Sequence, residues 1–545
     1  MSMTSSLGAN STVFLSANVQ SSPPAIRLNW ENIAGVTRSA IKIARKLPGS
    51  SLFPTSGANV WAPAATANTW TDTSIQVGQL YEYQVTITHS AGTAYGHIAS
   101  GIEVPARDMN GIVLLVVDSS LESAIASQLN TLENDLVGYG WIVKRKSVAR
   151  NDSISSVQAQ IKAEYDANPT LVRAAFIVGH APVPSVNGLN PDGHGSVNHW
   201  SADSFYADLN GAWSVSGNSL NTQNIPSAVE LQVGRITTAG MSAFPGSEAE
   251  QMINYLNRLH SYKTKAFNPQ KKGLLIDGFG GYNFSANGYR VISTSLSAKN
   301  LIVAAPMANA AGRNCPAAPH PALSSQSYRW TYLTGGGGGD SMSGVACTDQ
   351  MSGVNLQSPF NLAFGSYFGA WNGGNAFLRA PLLSGGLTIS WAGTINYPLH
   401  HMAMGGTIGY STQLAMNNKR SGMYLPLRAS YTADGYDAYV GMLGDPTLVE
   451  NILYPPGALV ISRSGANARF SWTASSEPGI AGYHVYKISG NSITKIATTI
   501  ASDLAWTSNL PYVVGEKYMV RAYKLETTSS GSYWNQSLGS LATAQ

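Results

Sequence analysis

The sequence predicts a multidomain protein of mixed class, α/β plus all-β, with a three-layer α/β domain between two β-sandwiches. Three observations carry this expectation. The chain has 545 residues, enough for about three to five domains. Its two ends carry short alternating apolar/polar runs separated by turn residues. Its middle opens on a continuous apolar strand and then alternates helical and strand patterns. The expected boundaries are 1–107, 108–454 and 455–545.

In the first segment, AIRLNW, SAIKIAR, YEYQVTIT and HIASGIEV alternate with period two, and Gly, Pro, Ser and Asn punctuate them. Trp30 falls in an early strand, and GQLYEYQV (78–85) forms a late one. The last segment repeats this grammar. ARFSWTA carries Trp472, GYHVYKI follows, and GEKYMVRAYKL places Tyr518 where the late tyrosine stands in the first copy. Both segments resemble fibronectin type III modules. The resemblance implies a tryptophan in each sandwich core and a tyrosine that reaches back to the backbone. Trp30, Trp472 and Trp506 are the expected core residues. Pro455-Pro456 makes a stiff boundary before the second copy.

The middle segment changes period. GIVLLVVD (111–118) is apolar throughout, as a strand covered on both faces must be. A helical stretch, the strand WIVKRKSV, the helix SISSVQAQIKAEYDAN and the strand LVRAAFIVG follow. That order predicts a parallel sheet with right-handed crossovers, whose ligand-prone edge is the carboxyl ends of its strands. VELQVGRI, KGLLIDGF, SYRWTYL, FNLAFGSYF and LTISWAG read as further strands. SEAEQMINYLNRLHSY and HHMAMGGTIGYSTQLAMNN read as helices.

Within the middle segment, AAFIVGHAPVP (174–184), SADSFYADLNGAW (201–213), VELQVGRI (229–236) and YVGMLGDPTL (439–448) resemble, in order and spacing, the gingipain group of cysteine peptidases. The resemblance covers most of 111–450 and implies a caspase-like fold. It also implies a Cys-His dyad: a histidine on a glycine-containing loop after one strand and a cysteine at the end of the next core strand. The chemistry needs a thiolate, a neighbouring imidazole and backbone donors for the oxyanion. This chain departs from that pattern. In the preferred register the loop is Thr334 to Asp340, Gly336 stands where the histidine belongs, and the cysteine position falls at Ser366 or Tyr367. In the rival register Cys347, in VACT, is the nucleophile and its base comes from elsewhere. Ser366 as a replacement nucleophile would need a base within reach.

Other polar groups carry paired readings. The run Gly335 to Gly339 lacks the Lys-Ser/Thr ending of a phosphate loop and reads as a close-packed turn. His180, His194 and His199, with Asp192, are either metal ligands (Asp192, His194 and His199 being the nearest in sequence) or hydrogen-bonded loop residues. Asp203, Asp208 and Asn210 suit either a structural calcium, which related peptidases use, or an Asx-turn loop. His400 and His401 adjoin at the start of a helix, where side chains diverge by about 100° and would not share one site. Cys315 and Cys347 form one disulfide in an oxidising compartment or remain free thiols. Trp200, Trp213, Trp371 and Trp391 lie in or beside loops at the ligand-prone edge and either pack or form an aromatic sugar- or polypeptide-binding surface.

Composition limits the function classes. Charged residues are 11%, against about 25% in an average soluble domain. Lys plus Arg number 33 and Asp plus Glu 29, so the net charge is +4, spread without runs. No nucleic-acid surface is expected from this. No apolar run reaches the ~18–20 residues of a membrane span. Met1 to Leu15 is polar, and no signal peptide is visible in this chain. The expectation is a non-catalytic, extracellular or cell-surface gingipain-like protein that works through protein partners and self-association, without a cofactor unless structural calcium. The alternatives are a secreted cysteine endopeptidase using Cys347 with a non-standard base, and a carbohydrate-binding surface protein.

Overall fold

The structure, a computed structural model, describes residues 7–49, 52–194, 199–279, 283–296, 298–393, 395, 397–421, 423–424 and 436–545. After a short helix α1 (Leu7–Asn10), seven strands follow. They are β1 (Leu15–Ser21), β2 (Pro24–Trp30), β3 (Arg38–Lys46), β4 (Val60–Trp61), β5 (Thr69–Asp72), β6 (Leu80–His89) and β7 (Gly92–Gly101). They form two antiparallel sheets, β1-β2-β5 and β4-β3-β6-β7. Their facing sides close on a core that includes Trp30, Tyr81 and Tyr83. One of the paired tyrosines meets the backbone, Gln76 N donating to Tyr81 Oη at 3.0 Å, and the other, Tyr83 Oη, donates to the Asp72 carboxylate at 3.0 Å.

The next strands are β8 (Gly111–Asp118), β9 (Trp141–Val148) and β10 (Val172–Val178), separated by helices α2 (Ser119–Glu122), α3 (Ala126–Gly138) and α4 (Ile154–Ala167). All eight residues of β8 are buried, which the continuous apolar pattern required. Four two-residue strands form a side sheet: β11 (Ser185–Val186), β12 (Trp200–Ser201), β13 (Val215–Ser216) and β14 (Ser219–Leu220). Helix α5 (Ser204–Ala207) lies among them. The chain returns through β15 (Gln232–Ile236), α6 (Glu248–Lys263), β16 (Gly273–Asp277), α7 (Ala286–Leu296), β17 (Leu301–Ala304) and β18 (Trp330–Thr334). A small hairpin, β19 (Ser341–Met342) and β20 (Ala346–Cys347), and helix α8 (Thr348–Met351) precede β21 (Phe360–Phe364), α9 (Ala380–Ser384) and β22 (Thr388–Trp391). Helix α10 (Ile408–Ser421) and β23 (Leu443–Gly444) complete the middle.

These strands build one ten-stranded sheet in the order β17-β16-β18-β21-β22-β23-β15-β10-β8-β9. Pairing is parallel from β17 to β22 and again from β15 to β9, and β23 runs antiparallel to β22. The segments that follow β15 and β21 meet in space, Asn375 N donating to Gly240 O at 3.0 Å. Helix α6 starts with a capping box, Ser247 and Glu250 satisfying each other's backbone amides. It ends where Tyr262 Oη reaches Val449 O at 2.9 Å.

The last eight strands are β24 (Val460–Ser464), β25 (Asn467–Ser471), β26 (Gly482–Ser489), β27 (Ser492–Ile500), β28 (Ala505–Pro511), β29 (Lys517–Thr528), β30 (Gly531–Gln536) and β31 (Ser540–Thr543). They pair as β24-β25-β28 and β27-β26-β29-β30, with β31 also on β29, a three-plus-five division where the first segment has three plus four. The two terminal units are distant in sequence but touch in space. Val104 N donates to Ser532 O at 3.1 Å, Trp534 N to Val104 O at 2.8 Å, and Ala17 N to Ser529 O at 2.7 Å. Among the described residues no helix is long and apolar enough to cross a membrane.

Candidate functional site at the strand-end edge

Three motifs singled out in the sequence meet on one side chain. Arg235, in β15, is fully buried and bidentate on Asp203, Nε to Oδ2 at 2.8 Å and Nη2 to Oδ1 at 2.8 Å. Its Nη1 donates to Ala181 O at 2.7 Å and its Nη2 to Pro182 O at 3.2 Å. VELQVGRI, SADSFYADLNGAW and AAFIVGHAPVP are therefore joined by a single guanidinium. Its fork satisfies a carboxylate and two loop carbonyls together.

Asp203, Asp208 and Asn210, which suit either calcium or an Asx-turn loop, are each engaged by protein groups. Both Asp203 oxygens serve Arg235. Asp208 accepts from Gly211 N at 2.9 Å, from Ser227 N at 3.0 Å and from the Ser227 hydroxyl. Asn210 turns to Glu230, Nδ2 to Oε1 at 2.7 Å. Each carboxylate has protein donors of its own, so the loop is a set of Asx-type clasps.

The glycine run after β18 lies against the chain leaving β21. Gly335 N donates to Phe364 O at 3.1 Å. A Cβ at Gly337 would overlap the Ser366 backbone, and one at Gly335 would overlap Ser343 O. Gly336 differs: the nearest atom to a Cβ there is Ser343 Cβ at 3.7 Å, so a side chain would fit. Gly336 and Ser366 thus stand on neighbouring loops at the ends of adjacent strands β18 and β21.

Ser366 and Tyr367, the positions expected for the cysteine in the preferred register, follow β21. Ser366 is buried, and Tyr367 is held at a φ of 70° by its amide, which donates to Asp192 Oδ2 at 2.7 Å. The Asp192 carboxylate is wholly enclosed. The His194 ring lies 5.5 Å from the Tyr367 ring, and its Nδ1 faces Asp192 O at 2.9 Å. His194 remains half exposed. Among the described residues no hydrogen bond joins His194 to Ser366. His199 departs from this group, its backbone amide donating to Asn187 Oδ1 at 3.2 Å. Among the described residues, the ligand atoms of Asp192, His194 and His199 do not gather into one cluster.

His180 follows β10 with its amide on Asp118 Oδ2 at 3.0 Å and its Nδ1 facing Thr237 Oγ1 at 3.4 Å. Burial, together with the positive charges of Arg235 and Arg150, holds its imidazole below the usual histidine range. Asp118 caps α2 through Ser120 N at 3.0 Å and pairs with Arg150 Nε at 2.8 Å. Its carboxyl is held below the ordinary range; burial opposes this, but the Ser120 and His180 hydrogen bonds and the Arg150 charge prevail.

Cys347 lies on the β19–β20 hairpin, outside the ten-stranded sheet, and is bonded to Cys315, with the Cα atoms 5.5 Å apart. The rival register, with Cys347 as nucleophile, is corrected on both counts: β21, not β20, is the strand beside β18, and the sulfur is not a thiol.

Three of the edge tryptophans, Trp200, Trp371 and Trp391, are buried. Trp200 and Trp391 pack on each other at 5.2 Å and on Tyr439 at 5.6 and 5.4 Å. Trp213 is partly buried against Phe205 at 5.6 Å. The sugar platform expected as one alternative is corrected: these rings form core.

His400 and His401 also depart from expectation. They lie on a tight 3-10 turn (Leu399–Met404), and their ring centroids are 4.0 Å apart. The turn is buried against the N-terminal sheets, so both rings fold toward the same neighbours, among them Glu82 on β6. The signal that could have exposed this was Glu82 itself, a lone carboxylate in the apolar run YEYQVTIT.

No family model matches the chain, and no curated protein matches it. Among solved structures it is similar to the Arg-specific cysteine proteinase gingipain R. The two share 13% identity over 80% of this chain and 99% of that one, with a TM-score of 0.46. It is similar as well to the complex of Porphyromonas gingivalis RgpB pro- and mature domains, at 13% identity over 78% of this chain and 99% of that one, TM-score 0.45. An Fn3-like protein from Clostridium thermocellum matches 17% of this chain and 94% of its own length at 27% identity, TM-score 0.13.

Proposed function

We propose that the chain is a non-catalytic extracellular or surface protein that assembles with protein partners, its α/β unit serving as a rigid scaffold. The observation that carries this reading is the Cys315–Cys347 disulfide, which accounts for both cysteines of the chain. With Gly336 and Ser366 on the paired loops, a Cys-His dyad has neither member in the register implied by the sequence motifs. The disulfide also suits an oxidising compartment. Self-association is supported by the low charge content and by where apolar side chains reach solvent. Val460, Ile500, Leu504, Val513, Val514 and Leu525 are all exposed on the C-terminal unit.

The test treats the full chain with a thiol-directed peptidase probe, a fluorophosphonate and a mixed peptide pool, and measures its mass by sedimentation velocity. The expected result is no labelling, no cleavage, and oligomers that weaken when Val514→Glu and Ile500→Lys are introduced together. Fluorophosphonate labelling and cleavage that vanish in Ser366→Ala would overturn the reading and assign a serine hydrolase, with His194 as the base to examine next. A monomer at every concentration would remove the assembly role.

A further inference from the structure

The cluster around Glu82 is not fully satisfied by protein atoms, and its chemistry is that of a metal site. His401 Nδ1 faces Pro398 O at 3.1 Å. A carbonyl accepts only, so Nδ1 carries the hydrogen and Nε2 of the neutral ring is left with its lone pair. That Nε2 points directly at Glu82 Oε1. Two acceptors in contact need a cation between them, a proton or a metal ion.

The surroundings separate the two. Glu82 Oε2 is already held, by Tyr424 Oη at 2.8 Å and by Lys46 Nζ at 3.2 Å. This leaves Oε1 facing the histidines. His400 is 3% exposed, and its Nε2 is buried without a hydrogen-bond partner. One ligand atom each from Glu82, His400 and His401 lies within 4.8 Å of the others. A proton on His401 would satisfy the His401–Glu82 contact alone and leave the buried His400 nitrogen orphaned, which is unfavourable. A metal ion would satisfy all three. The His401 ring is held by a backbone carbonyl and the carboxylate by Tyr424 and Lys46, the outer contacts that orient metal ligands elsewhere.

We propose that Glu82, His400 and His401 bind one divalent transition-metal ion, with zinc the best match to two imidazoles and one carboxylate. A solvent molecule would fill the fourth position. Glu82 belongs to β6 of the N-terminal sheets, whereas the histidines follow β22 of the ten-stranded sheet. The ion would therefore clamp the N-terminal unit onto the α/β unit. This role is independent of the scaffold reading above, since a peptidase or a scaffold could carry it.

The test uses the full chain, stripped with a chelator and then titrated with zinc, and with cobalt as a spectroscopic probe. The expected result is one equivalent of zinc bound with micromolar or tighter affinity, and a cobalt complex with the intense visible bands of a four-coordinate site. Glu82→Gln and His400→Leu should each weaken binding at least tenfold. Circular dichroism of the chelated variants checks that they fold, and if Glu82→Gln does not, His400→Leu alone decides. Binding weaker than micromolar, a stoichiometry other than one, or a cobalt spectrum unchanged in His400→Leu would overturn the proposal and leave a protonated His401–Glu82 pair as the occupant.

Discussion

Two buried polar clusters in this protein look alike in composition and differ in completeness. Around Arg235, one cation meets one carboxylate and two carbonyls, and the rings of Trp371 and Tyr206 flank the guanidinium at 5.8 and 6.0 Å. Around Glu82, one carboxylate meets a lysine, a tyrosine and two histidines, and one histidine nitrogen remains orphaned. The difference teaches how to separate architecture from binding. A buried network that closes on itself holds loops together, and one that stops an atom short points to something it holds.

The largest effect should come from breaking the closed cluster. Arg235→Met would leave Asp203 charged and enclosed, with its two bonds gone. Truncating one partner of a buried pair costs about 3–5 kcal/mol. The double variant Arg235→Met with Asp203→Leu removes both charges and should recover most of that loss. Chemical denaturation of the full chain, followed through the transition of the α/β unit, reads both numbers. A single variant within 1 kcal/mol of the native protein would show that the clasp does not organise the three loops.

Most of the fold was legible from periodicity, and most of the site was not. GIVLLVVD announced a strand covered on both faces, and every residue of it is buried. The alternation in YEYQVTIT agrees with Tyr83 and Val85 lying in the sandwich core, but by itself it would turn Glu82 to water. Glu82 is fully buried because the outer face of its sheet packs against the turn carrying His400 and His401. Strand periodicity describes the contacts of one sheet and is blind to a second unit docking on its back. The Arg235–Asp203 pair was hidden for a related reason. A lone arginine in VELQVGRI signals a buried partner, but 32 residues separate it from Asp203, and no spacing rule spans a loop of that length. Gly336 and Ser366 come onto neighbouring loops because their strands are neighbours in the sheet as well as in order.

A third buried histidine sharpens the comparison. His484, on β26, is held through one ring nitrogen by two side chains. Its Nδ1 faces Tyr486 Oη at 3.1 Å and Gln536 Nε2 at 3.0 Å, and Tyr486 in turn donates to Asp108 at 2.7 Å. Burial, with the Lys495 charge, pushes its pKa down to about 4. The folded state therefore holds His484 neutral while the unfolded chain protonates near 6.5. The stability this neutrality preserves is intact above about pH 6.5 and is lost as pH falls toward 4. The depression corresponds to about 3 kcal/mol. Thermal melts of the native protein and His484→Gln should diverge across that window, with the native protein losing more stability on acidification. Parallel curves would show that the imidazole is not the group titrating.

The smallest effect is the most discriminating, because it changes sign. In chelator, His400→Leu replaces a buried ring whose Nε2 has no partner with an apolar side chain of similar size. It removes an unsatisfied polar atom and breaks no hydrogen bond of that atom. The variant should then melt at, or slightly above, the native temperature, within about 1 kcal/mol. In zinc at a hundred times its dissociation constant, the native protein gains about 2.7 kcal/mol by mass action, and the variant gains far less because its site has lost a ligand. The ranking of the two proteins should therefore cross when metal is added. If a proton rather than a metal ion bridges His401 and Glu82, zinc moves neither curve and the ranking stays as it was in chelator.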